Sequence, residues 1–192
     1  MSKIAVIGTS FKSWRKPFTE DVLAKSKKAG EILAKKGVTL TSGGGNGLPW
    51  EATKAYKLSG GTKSIGYVGA NNAGDLAKRY TDVDHTVFDE LKFLEKPYIQ
   101  FSNPHDFLMR ELLLIEESDG VICLQGGSGT LSEVSFALQY RKPLGILTGT
   151  GGVADSIGAL LKAFEVEEIE RLNNVIFDGD IERLVDRVIE KI

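Results

Sequence analysis

Short apolar segments alternate with amphipathic segments along the whole chain, and this alternation constrains the fold more than any other feature. The apolar segments have the length of strands; they are Lys3–Gly8, Val38–Thr41, Ser64–Val68, Gly120–Leu124, Pro143–Leu147 and Asn174–Phe177. The segments between them carry apolar residues at helical spacing; they are Thr19–Lys36, Pro49–Ser59, Asp106–Ser118, Ser128–Tyr140, Val153–Val166 and Ile181–Ile192. Such alternation is typical of βαβ units. It predicts a doubly wound, Rossmann-like α/β fold, a parallel sheet with helices on both faces, in a single domain over residues 1–192.

The stretch between residues 69 and 103 follows this pattern least clearly. It opens with a polar loop at Gly69–Gly74, and two later segments, His85–Phe88 and Tyr98–Phe101, have the character of strands. We expect a loop and one or two short strands here.

Composition and charge narrow the class of protein. Hydrophobic residues make up 42% of the chain, which supports a packed core and argues against disorder. The net charge of −2 argues against a domain that tracks nucleic acid, so we expect no nucleic-acid partner. The single cysteine, Cys123, favours a reducing, cytoplasmic setting. No segment has the pattern of a signal peptide or a membrane span, so we expect no membrane partner.

The strongest functional feature is the glycine-rich turn made by Gly126, Gly127, Ser128, Gly129 and Thr130. It joins an apolar strand to a helix, whose first N–H groups and dipole favour an anion. The two hydroxyls can add donors. This pattern indicates a phosphate cradle for a small phosphorylated ligand, although the same glycines could merely close a tight turn that Thr130 caps.

Two further polar or glycine-rich segments follow predicted strands. One comprises Gly43, Gly44, Gly45, Asn46 and Gly47, and the other comprises Gly8, Thr9 and Ser10. Because the carboxyl ends of parallel strands meet at one edge of the sheet, we expect both segments to contribute to ligand binding. Neither is a P-loop, since no Gly-Lys-Ser/Thr follows, and Gly8-Thr9-Ser10 lacks the dinucleotide fingerprint.

Two charged side chains are candidates for chemistry. Arg110 lies in an apolar stretch and either faces solvent or points its guanidinium into the crevice at the strand ends. Glu133 falls in the first turn of the helix after the glycine-rich turn, as a surface residue or as a carboxylate behind the phosphate. The histidines lack ligand spacing, so we expect no metal and no cofactor.

These residues resemble the LOG (Lonely Guy) family. The run from Gly126 to Glu133 is similar to its Pro-Gly-Gly-x-Gly-Thr-x-x-Glu motif, and Arg110 lies at the spacing of its catalytic arginine. The segment Gly43–Leu48 resembles its second glycine-rich motif. The sequence departs from the family at Gln125, where the motif has proline, and at Ser132, where the family has a glutamate. It also departs at Leu108-Met109-Arg110-Glu111, where the histidine and the lysine of the family are absent.

The resemblance implies a phosphoribohydrolase that cleaves the N-glycosidic bond of a nucleoside 5′-monophosphate, with Arg110 and Glu133 as its catalytic residues. It also implies a homodimer. Similar folds occur in the molybdenum cofactor carrier protein and in the nucleotide-binding domain of DNA-processing protein A. The alternative is therefore a non-catalytic carrier or sensor of a phosphorylated ligand such as molybdenum cofactor or a nucleotide.

Overall fold

The computed structural model describes residues 1–10, 18–94, 103–163 and 172–192, with residues 103–107 described by their backbone alone. Seven parallel strands form one sheet in the order β4-β3-β2-β1-β5-β6-β7. Their bounds are β1 Lys3–Gly8, β2 Thr39–Ser42, β3 Ser64–Val68, β4 Glu90–Phe93, β5 Gly120–Leu124, β6 Leu144–Leu147 and β7 Val175–Asp178. The predicted parallel α/β sheet is confirmed.

Helices cover both faces of this sheet. Within the described residues they are α1 Glu20–Lys35, α2 Leu48–Leu58, α3 Ala73–Arg79, α4 Asn103–Glu116, α5 Ser128–Gln139, α6 Gly152–Leu161 and α7 Ile181–Ile189. One core cluster joins α1, α2 and α7 to one face, and a second joins α4, α5 and α6 to the other. Alternate residues of β1 enter the two clusters, with Val6 in the first and Ile7 in the second. The doubly wound arrangement is therefore confirmed.

The strand order places a switch point between β1 and β5. The chain runs outward from β1 to β4, then crosses back and runs outward again from β5 to β7. The connection after β1 leads to a helix on one face, whereas the connection after β5 leads to a helix on the other. These connections separate at the carboxyl ends of the strands and leave a crevice, where ligands bind in open α/β sheets.

The region after β3 differs from the sequence prediction. The strand expected at His85–Phe88 is wrong, because residues His85–Val87 form a 3-10 helix that Asp84 caps through the N–H of Thr86. The strand of this region lies slightly later, at Glu90–Phe93, on the sheet edge. The loop expected over Gly69–Gly74 ends early, since Asn72 caps α3. The second predicted strand, Tyr98–Phe101, lies outside the described residues.

Helices α1 and α2 approach each other closely at Gly30. A Cβ atom there would overlap the carbonyl oxygen of Ala52, which belongs to the backbone of α2 and cannot turn aside. This contact fixes α2 against α1, and α2 begins directly after the Gly43–Gly47 loop. The absence of a side chain at Gly30 therefore helps to set the position of that loop.

A pair of helix glycines provides a test of this packing. We expect Gly30→Ala to lower the free energy of unfolding by about 1–3 kcal/mol through overpacking. Gly158→Ala in α6 should instead raise it by about 0.5–1 kcal/mol, because the new methyl group would meet only ordinary contacts with Phe177. Urea denaturation measures both changes. Equal effects of the two substitutions would contradict the close approach of α1 and α2.

Candidate functional site

A cavity of about 630 Å³ opens at the carboxyl ends of β1, β2 and β5. Most of the residues predicted to bind or act on a ligand line it; they are Gly8, Thr9, Ser10, Gly43, Gly45, Asn46, Arg110, Gly127, Ser128, Gly129, Thr130 and Glu133. Three predicted ligand contacts, Gly44, Gly47 and Gly126, are not among the lining residues. The structure thus brings three separate segments and two helices together around one cavity.

The first turn of α5 forms one wall of this cavity. Gly127 is the N-cap, and as a glycine it has no side chain to bond the amides of the turn. The N–H groups of Ser128, Gly129 and Thr130 lie in the turn where an α-helix leaves its donors unpaired, and the helix dipole is positive there. The alternative in which Thr130 caps the helix is excluded. The arrangement suits an anion held by backbone amides.

A hydrogen bond between Gly126 and Thr9 stabilises this turn. The N–H of Gly126 donates to Oγ1 of Thr9 at 2.8 Å, so this hydroxyl is engaged in bracing the turn. Gly126 has a φ of 104°, and a Cβ atom there would meet Cγ2 of Thr130 at 2.5 Å. Glycine is therefore required at position 126 for the conformation and packing of the turn.

Gly44 and Gly47 have a similar structural role in the second loop. Gly47 has a φ of 102° and packs against the backbone of Thr9 and Ser10, and the N–H of Leu48 donates to the carbonyl oxygen of Thr9 at 3.0 Å. Gly44 is buried beside Val68. These contacts join the loops after β1 and β2 into one cavity wall.

The remaining glycines divide into two kinds. A Cβ atom on Gly43 would overlap Nη1 of Arg110, and one on Gly129 would lie 2.8 Å from Oε1 of Glu111. These two glycines make room for side chains of the site itself. By contrast, no atom of the described residues lies within 4 Å of a Cβ atom built on Gly45 or Gly127, and both residues line the cavity. The open space for a ligand therefore adjoins Gly45 and Gly127.

Arg110 lies between two carboxyl groups at the base of the cavity. Its Nη1 is 3.6 Å from Oε1 of Glu133, and its Nη2 is 3.5 Å from Oε1 of Glu111. All three side chains are largely buried, and the arginine is 14% exposed. The alternative in which Arg110 faces solvent is excluded. Its catalytic role, like that of Glu133, stays a prediction.

Burial shifts the protonation of both carboxyl groups. It raises the pKa of Glu133 to about 8; the positive charge of Arg110 opposes this shift and the negative charge of Glu111 adds to it. Burial also raises the pKa of Glu111, against the effect of Arg110. At neutral pH Glu133 is therefore mainly protonated, which is the state required of a general acid.

The expected position of Glu133 in the first turn of α5 is wrong. The helix begins at Ser128, so Glu133 lies in the second turn and points into the protein, where 6% of its surface is exposed. The helix dipole acts mainly within the first turn, so it does not stabilise this carboxylate. Desolvation controls the titration of Glu133 instead.

Several lining residues were missed by the sequence analysis. Glu111 was not predicted to be a site residue, yet it lines the cavity and only 7% of it is exposed. Arg79, Tyr80 and Asp82 also line the cavity, and they come from the stretch after β3 that was hardest to interpret. Nδ2 of Asn46 donates to Oδ2 of Asp82 at 2.9 Å, which connects this stretch to the glycine-rich loop after β2.

Comparison with known families identifies the chain. Residues 1–184 match the sequence model of the SLOG cluster4 family. The chain belongs to this family. The SLOG superfamily includes the LOG proteins and proteins like DNA processing protein A. Among curated proteins, no significant match is found.

Solved structures share the fold of this SLOG protein. The crystal structure of TM1055 superposes with a TM-score of 0.75 at 23% identity and full coverage of both chains. The molybdenum cofactor binding protein from Rippkaea orientalis gives 0.71 at 22% identity, over 99% of this chain and 96% of the other. DNA processing protein A from Helicobacter pylori gives 0.70 at 22%, over 99% and 81%. At these identities the likeness establishes the fold.

The expectation that nucleic acid is excluded as a partner is wrong. The Helicobacter pylori protein is described by its single-stranded DNA binding mode, and it shares this fold. Net charge averages over the whole surface, whereas binding depends on the local charge of a groove. A balance of −2 therefore gives no ground for excluding nucleic acid.

Membership of the LOG branch, hydrolase activity, a homodimer and a cytoplasmic location stay predictions. Among the described residues, no helix is long and apolar enough to cross a membrane. Within the same residues, His, Cys, Asp and Glu side chains do not cluster in threes that could hold a metal ion.

The raised pKa of Glu133 makes stability depend on pH. Its ordinary value is 4.5 and its folded value is about 8, so between these pH values the folded state binds more protons than the unfolded state. The free energy of unfolding contributed by this group therefore falls as pH rises through that window. We expect Glu133→Gln to stabilise the protein by up to a few kcal/mol near about pH 9 and by much less near about pH 5.

Urea denaturation at both pH values measures this difference. Glu116→Gln, at an exposed position on α4, is the matched control and should show the same small change at each pH. A stabilisation by Glu133→Gln that does not grow with pH would contradict the assignment of a buried, proton-binding carboxyl group.

Proposed function

We propose that this protein binds a phosphorylated, nucleotide-like ligand with its phosphate on the first turn of α5. The observation that carries the proposal is the convergence of three features on one cavity: the first-turn amides of α5, open space beside Gly45 and Gly127 among the described residues, and the buried Arg110. Membership of the SLOG cluster4 family supports it.

The size and shape of the cavity suit a ligand with two recognition points. Open space adjoins Gly127 on the wall formed by α5, and it adjoins Gly45 on the wall formed by the loop after β2. A cavity of about 630 Å³ lies within the range that binds small organic ligands. A nucleoside 5′-monophosphate would place its phosphate at the first wall and its ribose and base towards the second.

We further propose that the protein is a phosphoribohydrolase that cleaves the N-glycosidic bond of this ligand. Loss of the base builds positive charge on the ribose and negative charge on the departing nitrogen. A protonated Glu133 is suited to donate a proton to that nitrogen, since burial raises its pKa to about 8. Arg110 would hold the Glu133 carboxyl group in place and contact the substrate.

Hydrolysis of nucleoside monophosphates tests this function directly. We expect the purified protein to release free base from at least one of AMP, GMP, IMP, CMP and UMP, measured by chromatography. Glu133→Gln should lower the turnover by about 10²–10⁴-fold while it still binds the nucleotide, because it removes the proton donor. Glu116→Gln should behave as the wild type. Binding of all five nucleotides without release of any base would contradict the hydrolase.

A carrier or sensor is the second candidate, and one observation favours it. Gln125 stands where the LOG motif has proline, and it adopts a φ of 57°, which proline cannot reach. Its N–H donates to Oγ1 of Thr150 at 3.0 Å, and its Nε2 donates to the carbonyl oxygen of Thr150 at the same distance. The strand end before the phosphate turn therefore differs from the motif of the LOG enzymes, and this departure favours a function other than their hydrolysis.

Thermal stabilisation separates the two candidates. A carrier should gain about 2.7 kcal/mol at a ligand concentration of a hundred times Kd, with no product formed. The panel comprises the five monophosphates, a pterin phosphate and a single-stranded DNA oligonucleotide. Gly127→Ala, whose methyl group would enter the open space, should weaken this stabilisation. No stabilisation by any member of the panel would contradict the carrier.

A further inference from the structure

Glu111 is a buried carboxyl group that the proposed reaction has not yet used. Among the described residues, it contacts one positive charge at long range, since Nη2 of Arg110 lies 3.5 Å away. Its buried Oε2 has no hydrogen-bond partner in the same residues. It is 7% exposed and lines the cavity. Burying a carboxyl group in this way is unfavourable, so packing alone does not account for it.

A second buried carboxyl group in the same chain shows what a structural arrangement looks like. Asp178 accepts hydrogen bonds from Nε of Arg183 at 2.6 Å and from the N–H of Asp180 at 2.9 Å. These contacts, chiefly that with Arg183, hold its pKa below the ordinary value. Glu111 has none of these features. It resembles Glu133, which is also buried and contacts Arg110 at long range.

Counting charges indicates how the two glutamates share their protons. Arg110, Glu111 and Glu133 are buried together, and the charge of one guanidinium balances one carboxylate. Among the described residues, the charged or titratable groups that face Glu133 are Arg110 and Glu111 on α4 and Cys123 on β5, whose thiol stays protonated because burial raises its pKa. A second buried carboxylate would be uncompensated, so near neutral pH the pair retains one proton. Glu133, with its pKa raised to about 8, holds that proton, and Glu111 is the counterion of Arg110.

We infer that Glu111 is a second catalytic carboxyl group, the general base that activates water, in the hydrolysis proposed above. Its place beside Gly129 sets it next to the phosphate turn, and it contacts Nη2 of Arg110 whereas Glu133 contacts Nη1. Glycoside hydrolysis uses two such groups, one protonated and one ionised, on opposite sides of the bond that breaks. The inference rests on the proposed hydrolase function and extends it to the attacking water.

The step balances without a further reactant. A water oxygen attacks C1′ of the ribose and gives one proton to the Glu111 carboxylate. The bond between C1′ and the base nitrogen breaks, its electron pair goes to that nitrogen, and Glu133 supplies the proton that neutralises it. The products are free base and ribose 5-phosphate. A proton then passes from Glu111 to Glu133 through solvent and restores the starting state.

The pH dependence of kcat/KM tests this role in the 192-residue chain. The substrate is whichever of AMP, GMP, IMP, CMP and UMP the wild type hydrolyses fastest. Wild type should lose activity on the acid side as Glu111 takes up a proton, and on the alkaline side near the pKa of Glu133, about 8. Glu111→Gln should lower kcat by about 10²–10⁴-fold and abolish the acid-side decrease. It should also move the alkaline-side decrease to lower pH, because the negative charge of Glu111 no longer raises the pKa of Glu133.

Two further measurements keep the test decisive. Calorimetry should show that the Glu111→Gln variant binds the same nucleotide with a Kd within roughly tenfold of that of the wild type. In the pH profile of kcat/KM, the Glu111→Asp variant should again show the acid-side decrease. Glu116→Gln on the exposed side of α4 is the control with unchanged activity. A hydrolysing wild type whose Glu111→Gln variant keeps its rate or its acid-side decrease would overturn the role of Glu111 alone. A wild type that binds nucleotides without hydrolysing them would overturn the hydrolase and this inference together.

Discussion

The pairing of β1 with β5 is the constraint on which the rest of the site depends. The two strands are parallel and in register from Ile4 opposite Gly120 to Gly8 opposite Leu124, so both end at the same level. That register brings Oγ1 of Thr9 under the N–H of Gly126 and opens the crevice between helices on opposite faces. A shift of either strand would separate the Thr9 hydroxyl from the N–H of Gly126, and the first-turn amides of α5 would no longer face the cavity.

The charged base of the cavity shows a conflict between stability and function. Two carboxyl groups and one guanidinium are buried together, and their contacts of 3.5 and 3.6 Å are longer than those of well-formed ion pairs. Such an arrangement is unfavourable for folding, because desolvation is only partly offset. Active sites commonly retain groups of this kind, since the same desolvation adjusts their pKa to the chemistry.

Sequence patterns predicted the frame of the site better than its interior. Period and turn residues located six of the strands and the glycine-rich segments at their carboxyl ends, because these signals are local. The burial of Glu111 could not be predicted in this way, since it depends on the room that Gly129 leaves on another helix. Likewise, Gly43 makes room for Arg110 rather than for a ligand. Arg79 and Asp82 were missed because their stretch has no clear period.

The most direct test of the account is an NMR titration of the amide groups with AMP, with adenosine as the control. The account predicts that the amide signals of Gly127, Ser128 and Gly129 shift saturably with AMP and do not shift with adenosine, because the phosphate is the group that they bind. Saturable binding of AMP that leaves these three amides unmoved would contradict the central claim, as would equal shifts with adenosine.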